Sequence, residues 1–273
     1  MSGAGGWRWA AASIAGTSHR VTGTDCQDAH AAAVRTDGAL VAAVADGAGS
    51  APHSARGAAV AVAAAVGTLV RDGGPAGMGP VGTVDADGDV EARRERDAEG
   101  MAAALHAARA AVEVLADAEG WPTRDLACTL SCAIVRPEGV LAAQIGDGLV
   151  VAVGRDGVVT AVTVPERGDY ANETTFLTSE GAVAAALDVM TRADGDVAAV
   201  VLLTDGLLRL ALDLATATPH AAFFQPLVRF AAAIDHVETA TAQLAAFLDS
   251  PRVRARTDDD LTLLVAAYEP AEP

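Results

Sequence analysis

Short apolar runs that end abruptly at polar turn residues recur along the chain, and they predict β-strands. In the run VAAVADG, residues 41–47, the apolar residues stop at an aspartate followed by a glycine. The strands predicted in this way cover residues 7–16, 30–34, 39–45, 126–135, 140–145, 150–153, 158–164, 197–204 and 261–268. Turn sequences join several of these strands directly, so we expect antiparallel pairing, with a meander between residues 126 and 164.

Longer segments with an apolar residue at every third or fourth position predict helices. Residues 51–71 carry Pro52 near their start, and proline is tolerated in the first turn of a helix. Residues 101–118 place Leu105, Val112 and Leu115 on one face, and further helices fill residues 206–249. Antiparallel strands with helices collected between them predict an α+β layered sandwich.

Residues 72–98 follow neither pattern, because they are rich in glycine and then in charge, with little apolar periodicity. We expect a mobile surface insertion there. No internal repeat or second domain boundary is apparent, so residues 1–273 are interpreted as a single domain.

The composition excludes several classes of protein. The formal net charge is −17, from 36 acidic and 19 basic residues, and every basic residue is Arg. This balance argues against nucleic acid and anionic membranes as partners. We see no signal peptide, and the apolar stretch 58–70 is too short to span a bilayer, so we expect a cytoplasmic protein. Three cysteines without a C-x-x-C pair predict neither a disulfide framework nor a zinc site.

Aspartates stand at the ends of several predicted strands. Asp46 and Asp205 each follow an apolar run and precede glycine, Asp147 follows another run, and residues 258–260 are three aspartates before the last strand. A single Asp-Gly step is more often a turn than a ligand. Carboxylates brought together at one edge would repel one another unless a cation lay between them. Oxygen ligands of this kind favour Mg²⁺ or Mn²⁺.

Five motifs occur in an order that resembles the metal-dependent Ser/Thr protein phosphatases of type 2C, in their compact bacterial branch. They are Cys26-Gln27-Asp28-Ala29-His30, Asp46-Gly47-Ala48-Gly49, Ile145-Gly146-Asp147, Leu203-Thr204-Asp205-Gly206 and Asp259-Asp260-Leu261-Thr262. Residues 168–176 resemble a flap segment of the same branch. In the last motif Asp260 replaces the usual Asn.

The resemblance implies a four-layer α-β-β-α sandwich in which helices flank two central antiparallel sheets, with two Mn²⁺ or Mg²⁺ ions at one end. By position, Asp46 would bridge both ions, the Gly47 carbonyl would bind one, and Asp205 and Asp259 would hold the other. Asp28 would act through a water molecule. A water shared by the two ions would attack the phosphorus of phosphoserine or phosphothreonine in a protein substrate, opposing a Ser/Thr kinase.

Asp147 has two open interpretations. It lies where the family can hold a third, weaker ion, and Gly146-Asp147-Gly148 would also suit a hairpin turn between two strands.

Two positions depart from the family pattern. Ala48 stands where some members have His, and Gly23 stands where a phosphate-binding Arg is usual, so His19 and Arg20 are the nearby candidates for substrate binding. Two alternative functions stay open: a catalytically silent relative that binds a phosphoprotein or regulator, and a phosphomonoesterase for small molecules.

Overall fold

Two antiparallel sheets of five strands each form the centre of the structure. The computed structural model describes residues 5–72, 86–165 and 174–270. Its strands, numbered along the chain, are β1 (Gly6–Ile14), β2 (Ala29–Val34), β3 (Leu40–Ala45), β4 (Leu130–Arg136), β5 (Gly139–Ile145), β6 (Leu149–Gly154), β7 (Val159–Ala161), β8 (Thr191–Asp194), β9 (Val197–Leu203), β10 (Leu212–Asp213), β11 (Thr218–Pro219) and β12 (Leu261–Glu269). Sheet I has the order β1-β12-β9-β6-β7 and sheet II the order β2-β3-β4-β5-β8, while β10 and β11 form a separate pair.

Helices cover the outer face of each sheet. They are α1 (Thr17–Thr22), α2 (Ser54–Asp72), α3 (Ala86–Glu119), α4 (Ala182–Asp188), α5 (Leu208–Ala211), α6 (Ala221–Ala232), α7 (Val237–Leu248) and α8 (Pro251–Arg254). Helices α2 and α3 lie against sheet II, and α6 and α7 lie against sheet I. The described residues thus form the predicted four-layer α-β-β-α sandwich.

The alternation of side chains along each central strand builds this layering. In β3, Val41 and Ala43 point toward the helices of their layer, while Leu40 and Val44 point into the space between the sheets. Successive strand residues face opposite sides of a sheet, so a strand buried on both faces must be apolar throughout. The continuous apolar runs of the sequence therefore mark the central strands.

Helix α2 is unusually apolar for its length. Residues 54–71 of α2 have a mean hydropathy of 1.2. By length and composition alone, this segment is long and apolar enough to cross a membrane. Half of this segment is buried inside the structure. Its residues Ala58, Ala61 and Leu69 belong to one apolar cluster with residues of sheet II and α3. The same combination is found in helices that form part of a protein core.

The predicted boundary of the second helix was wrong. We predict a start at Met101, but α3 begins at Ala86 and runs through the charged sequence assigned to the insertion. Asp97 on this helix is 3% exposed and pairs with Arg35 at 3.2 Å and with Arg136 at 3.0 Å. Ion pairs with the residue after β2 and with the last residue of β4 thus fix a stretch of helix that has no apolar periodicity. Residues 73–85 of the predicted insertion lie outside the described residues.

The predicted meander was also wrong at its centre. Strand β5 pairs with β4 and β8, whereas β6 pairs with β7 and β9 in the opposite sheet. Residues 146–148 therefore carry the chain from sheet II to sheet I and do not form a hairpin. The short strand β8 was not predicted.

Candidate metal centre

The strand ends that carry the aspartates meet at one edge of the sandwich. In sheet II, Ala29 of β2 lies opposite Ala45 of β3, so Asp28 and Asp46 are neighbours just beyond that pair. In sheet I, Leu203 of β9 lies opposite Leu263 of β12. Asp205 follows the first strand and Asp259 precedes the second, so this pairing brings them to the same edge. The register of two antiparallel pairs thus gathers residues that are far apart in the sequence.

These carboxylates lie close enough to perturb one another's ionisation. Burial raises the pKa of Asp46 well above its ordinary value, and the neighbouring charges of Asp28, Asp205 and Asp259 raise it further. Burial likewise raises the pKa of Asp205 to about 7, with added repulsion from Asp147 and Asp259. Each ionised group here makes ionisation of the next more costly. A cation would relieve that repulsion.

Asp28 is held by a hydrogen bond from the opposite sheet. Its Oδ2 accepts a hydrogen bond from Thr204 Oγ1 at 2.7 Å, and Thr204 Oγ1 in turn accepts the Thr262 backbone N–H at 3.1 Å. Burial raises the pKa of Asp28 to about 7, although the Thr204 hydroxyl lowers it. The second carboxylate oxygen, Oδ1, is buried without a partner among the described residues. A buried carboxylate oxygen in this position suits a cation or a water bound to one.

The glycines after Asp46 and Asp205 are required by close packing. A Cβ on Gly47 would lie 2.7 Å from the Gln27 carbonyl oxygen, and a Cβ on Gly206 would overlap the Asp260 carbonyl. Neither glycine has a positive φ, so neither is there for turn geometry. The two Asp-Gly steps therefore mark places where neighbouring strand-end segments touch, not isolated turns.

Asp260 links three segments around the site. It is 2% exposed, and its carboxylate accepts the N–H groups of Gly16 and Gln27, both at 2.6 Å, and lies 2.9 Å from His19 Nδ1. These segments precede α1, β2 and β12, and two of them carry Asp28 and Asp259. Sequence reasoning gave Asp260 no role, since nothing separates it from the adjacent aspartates except its place in a motif.

Asp147 lies at the crossover between the sheets and faces the other aspartates. Thr174 Oγ1 donates a hydrogen bond to Asp147 Oδ2 at 3.2 Å, and the Asp147 charge raises the pKa of Asp205. Because β5 and β6 belong to different sheets, the hairpin interpretation of residues 146–148 is excluded. The assignment of Asp147 to a third ion stays a prediction.

The predicted substrate-binding residues have other partners in the structure. His19 contacts Asp260, and Arg20 forms an ion pair with Asp249 at 2.8 Å. His53, a few residues beyond Ala48 in the sequence, stacks on Trp121 with ring centroids 3.5 Å apart. Substrate binding by His19 and Arg20 stays a prediction.

The donor set fits a hard divalent cation. No group of three or more His, Cys, Asp or Glu side chains in the described part of the chain is arranged to hold an ion by itself. The carboxylates nevertheless lie close enough to shift one another's pKa. Mg²⁺ and Mn²⁺ commonly combine one or two carboxylates with water and backbone carbonyls, such as that of Gly47. The residues present are of the type that these ions select.

Comparison with known proteins agrees with this chemistry. A model of the family described as Protein phosphatase 2C matches residues 15–249. Serine/threonine-protein phosphatase 3 of Escherichia coli (strain K12) is 35% identical over 270 residues, which cover 96% of this chain and 98% of that protein.

Solved structures show the same fold. The serine/threonine phosphatase of S. agalactiae has a TM-score of 0.57 at 13% identity, covering 96% of this chain and 100% of that one. Stp1 from Staphylococcus aureus has a TM-score of 0.55 at 13% identity, covering 98% of both chains. The catalytic domain of PstP, in complex with two manganese ions, has a TM-score of 0.54 at 18% identity and covers 96% of this chain and 98% of that one. These structures share the fold, and the family model together with the E. coli relative shows that the chain belongs to the protein phosphatase 2C family, so it is a protein phosphatase of the type that its sequence motifs predict.

Proposed function

We propose that the protein removes phosphate from phosphoserine and phosphothreonine in protein substrates, using two Mn²⁺ or Mg²⁺ ions. The observation that carries the proposal is the convergence of Asp28, Asp46, Asp205 and Asp259 at one edge of the sandwich. There the neighbouring charges raise the pKa of Asp46, and the charge of Asp259 raises the pKa of Asp205. The name of the E. coli relative, at 35% identity, supports serine and threonine as the substrate residues. A cytoplasmic location and an opposing Ser/Thr kinase complete the proposal.

The same carboxylates would hold the ions. Asp46 has Asp28, Asp205 and Asp259 as charged neighbours and would contact both ions, while Asp205 and Asp259 would hold one of them. The Gly47 carbonyl would serve the other ion, and Asp28 would hold a water in that ion's shell. When bound, two such ions activate a water molecule at neutral pH and stabilise the charge that develops on the phosphoryl oxygens.

The protein's own contribution is orientation. Thr204 holds one oxygen of Asp28 and leaves the other free. Asp260 joins the segments that carry Asp28 and Asp259, so the two sheets present their carboxylates in a fixed relation. Such preorganisation lowers the cost of placing charged groups together when the reaction begins. No side chain in this arrangement needs to form a covalent intermediate with phosphate.

A panel of phosphoserine, phosphothreonine and phosphotyrosine peptides tests the proposal, together with small phosphate monoesters. We expect Mn²⁺- or Mg²⁺-dependent release of phosphate from the first two peptides and none in the presence of a chelator. Hydrolysis of small phosphate monoesters alone would favour a metabolic phosphomonoesterase. Binding of phosphopeptides without phosphate release, while manganese still raises the melting temperature, would favour a silent relative.

A further inference from the structure

A second cavity lies in the outer helical layer over sheet I, away from the aspartate cluster. Its volume is about 580 Å³, and α6, α7 and α8 contribute most of its wall. The residues that decide its chemistry are Leu210, Phe223, Phe230, Leu244, Phe247 and Arg252. None of the five aspartates of the metal centre lines it. Ligand pockets in proteins typically have volumes of about 300–1,000 Å³, so this one is large enough for a small organic molecule.

Aromatic residues are concentrated at this cavity. The chain has five Phe residues, and three of them, Phe223, Phe230 and Phe247, line the cavity. The side chain of Phe247 remains 38% exposed. Phe223 and Phe230 are half-buried against the core, whereas the neighbouring Phe224 is fully buried, so the three Phe side chains at the cavity leave apolar surface exposed. Exposed apolar surface of this kind is typical of a binding site.

The cavity has one free positive charge at its rim. Arg252 is exposed and forms no ion pair with any of the described residues, whereas Arg254 on the same helix pairs with Asp249 at 3.1 Å. The other polar side chains among the described residues of the wall, His220 and Gln243, carry no carboxylate. In a chain with a net charge of −17, a pocket that offers a cation and no carboxylate is complementary to an anion.

We propose that this cavity binds a small organic anion with an apolar body, represented by a medium-chain fatty carboxylate. The apolar chain would lie against the three Phe side chains, and the carboxylate would pair with the guanidinium of Arg252, which suits carboxylate geometry. The ligand is a free molecule rather than a lipid in a bilayer, because the net charge of −17 opposes approach to an anionic membrane.

Calorimetric titration with octanoate and with uncharged 1-octanol tests the site. We expect wild type to bind one octanoate, and to bind it more tightly than 1-octanol. Arg252→Gln should weaken octanoate binding about fivefold, the upper range for an ion pair open to solvent, and should remove the preference over 1-octanol. The matched control is Arg229→Gln, which removes an exposed Arg of α6 that does not line the cavity.

A second variant separates cavity binding from binding elsewhere. Ala222 is exposed and lines the cavity, so Ala222→Trp fills the space without removing a core side chain. We expect this variant to melt as wild type does and to lose affinity for both ligands. Three results would each overturn the proposal: wild type that binds no octanoate, equal affinity for octanoate and 1-octanol, or unchanged octanoate binding by Arg252→Gln.

Discussion

Thr204 provides the most direct test of how the two sheets hold the metal centre together. Its side chain is buried at 1% exposure, where the hydroxyl donates to Asp28 Oδ2 at 2.7 Å and accepts the Thr262 N–H at 3.1 Å. Thr204→Val keeps the shape of the side chain and removes both hydrogen bonds. Thr204→Ser keeps the hydroxyl and loses a methyl group, so it is the matched control.

The expected loss follows from the two bonds. A hydrogen bond to a charged group contributes about 1.5–3 kcal/mol, and one between neutral groups about 0.5–1.5 kcal/mol. Thr204→Val should therefore lower the free energy of unfolding by about 2–4 kcal/mol at a pH where Asp28 is largely ionised. The Thr204 hydroxyl lowers the pKa of Asp28, so the variant should also shift that pKa upward from about 7 and weaken Mn²⁺ binding.

Urea unfolding in a chelator, at about pH 8, measures the first quantity without any contribution from metal. Manganese titration followed by the melting temperature measures the second. We expect Thr204→Ser to stay near wild type in both. The reasoning fails if Thr204→Val unfolds within about 0.5 kcal/mol of wild type with an unchanged m-value, or if Thr204→Ser is as unstable as Thr204→Val.

Three further predictions concern the buried charges. Asp205→Asn should abolish metal-dependent turnover. It should leave the metal-free protein at least as stable as wild type, because it removes one repelling charge. If this variant unfolds in a chelator in which wild type stays folded, Asp205 is a structural residue. Asp28 and Asp205 have pKa values of about 7 in the folded protein against an ordinary 3.8, so the folded state binds more protons between these values. The metal-free protein should thus lose stability as the pH rises from about 4 to about 7 in urea titrations, and a rising profile would contradict this. Asp97→Ala removes the buried partner of Arg35 and Arg136 and leaves both to the partly exposed Asp37, so it should lower the free energy of unfolding by about 3 kcal/mol, the lower end for breaking a buried pair. Asp196→Ala removes one partner of an exposed pair and should cost about 1 kcal/mol or less. Equal losses in urea unfolding would show that burial does not set the cost.

The site could be predicted from the sequence because its aspartates stand at the ends of predicted strands. A continuous apolar run predicts a central strand, and an aspartate that stops such a run must lie at a sheet edge. Asp46, Asp205 and the aspartates before the last strand were found in this way, whereas Asp28 came from the resemblance of its motif to the family. The structure brings Asp28, Asp46, Asp205 and Asp259 together. Their roles as ligands stay predictions.

The residues that support the site could not be predicted in the same way. Asp260 differs from Asp258 and Asp259 only in that its carboxylate meets two backbone N–H groups from distant segments. In the sequence, Thr204 is not distinguished from the other threonines. Its role depends on the folded structure, in which the end of β9 lies opposite the start of β2 and Thr204 reaches Asp28. Hydrogen-bond partners that lie more than a hundred residues away leave no local signal.

By itself, the sequence determined the class of the fold, the positions of the central strands and the identity of the clustered carboxylates, because each depends on local periodicity or on residue type. Only the tertiary structure decided where α3 begins, since its charged N-terminal part carries no apolar pattern. The ion pairs of Asp97 with Arg35 and Arg136 depend on residues that are distant in the sequence. The tertiary structure also decided that residues 146–148 cross between sheets. The same Gly-Asp-Gly sequence suits a hairpin or a crossover. Which of the two forms depends on the strands with which β5 and β6 pair. The energy of that pairing is non-local, so no short segment of sequence encodes it.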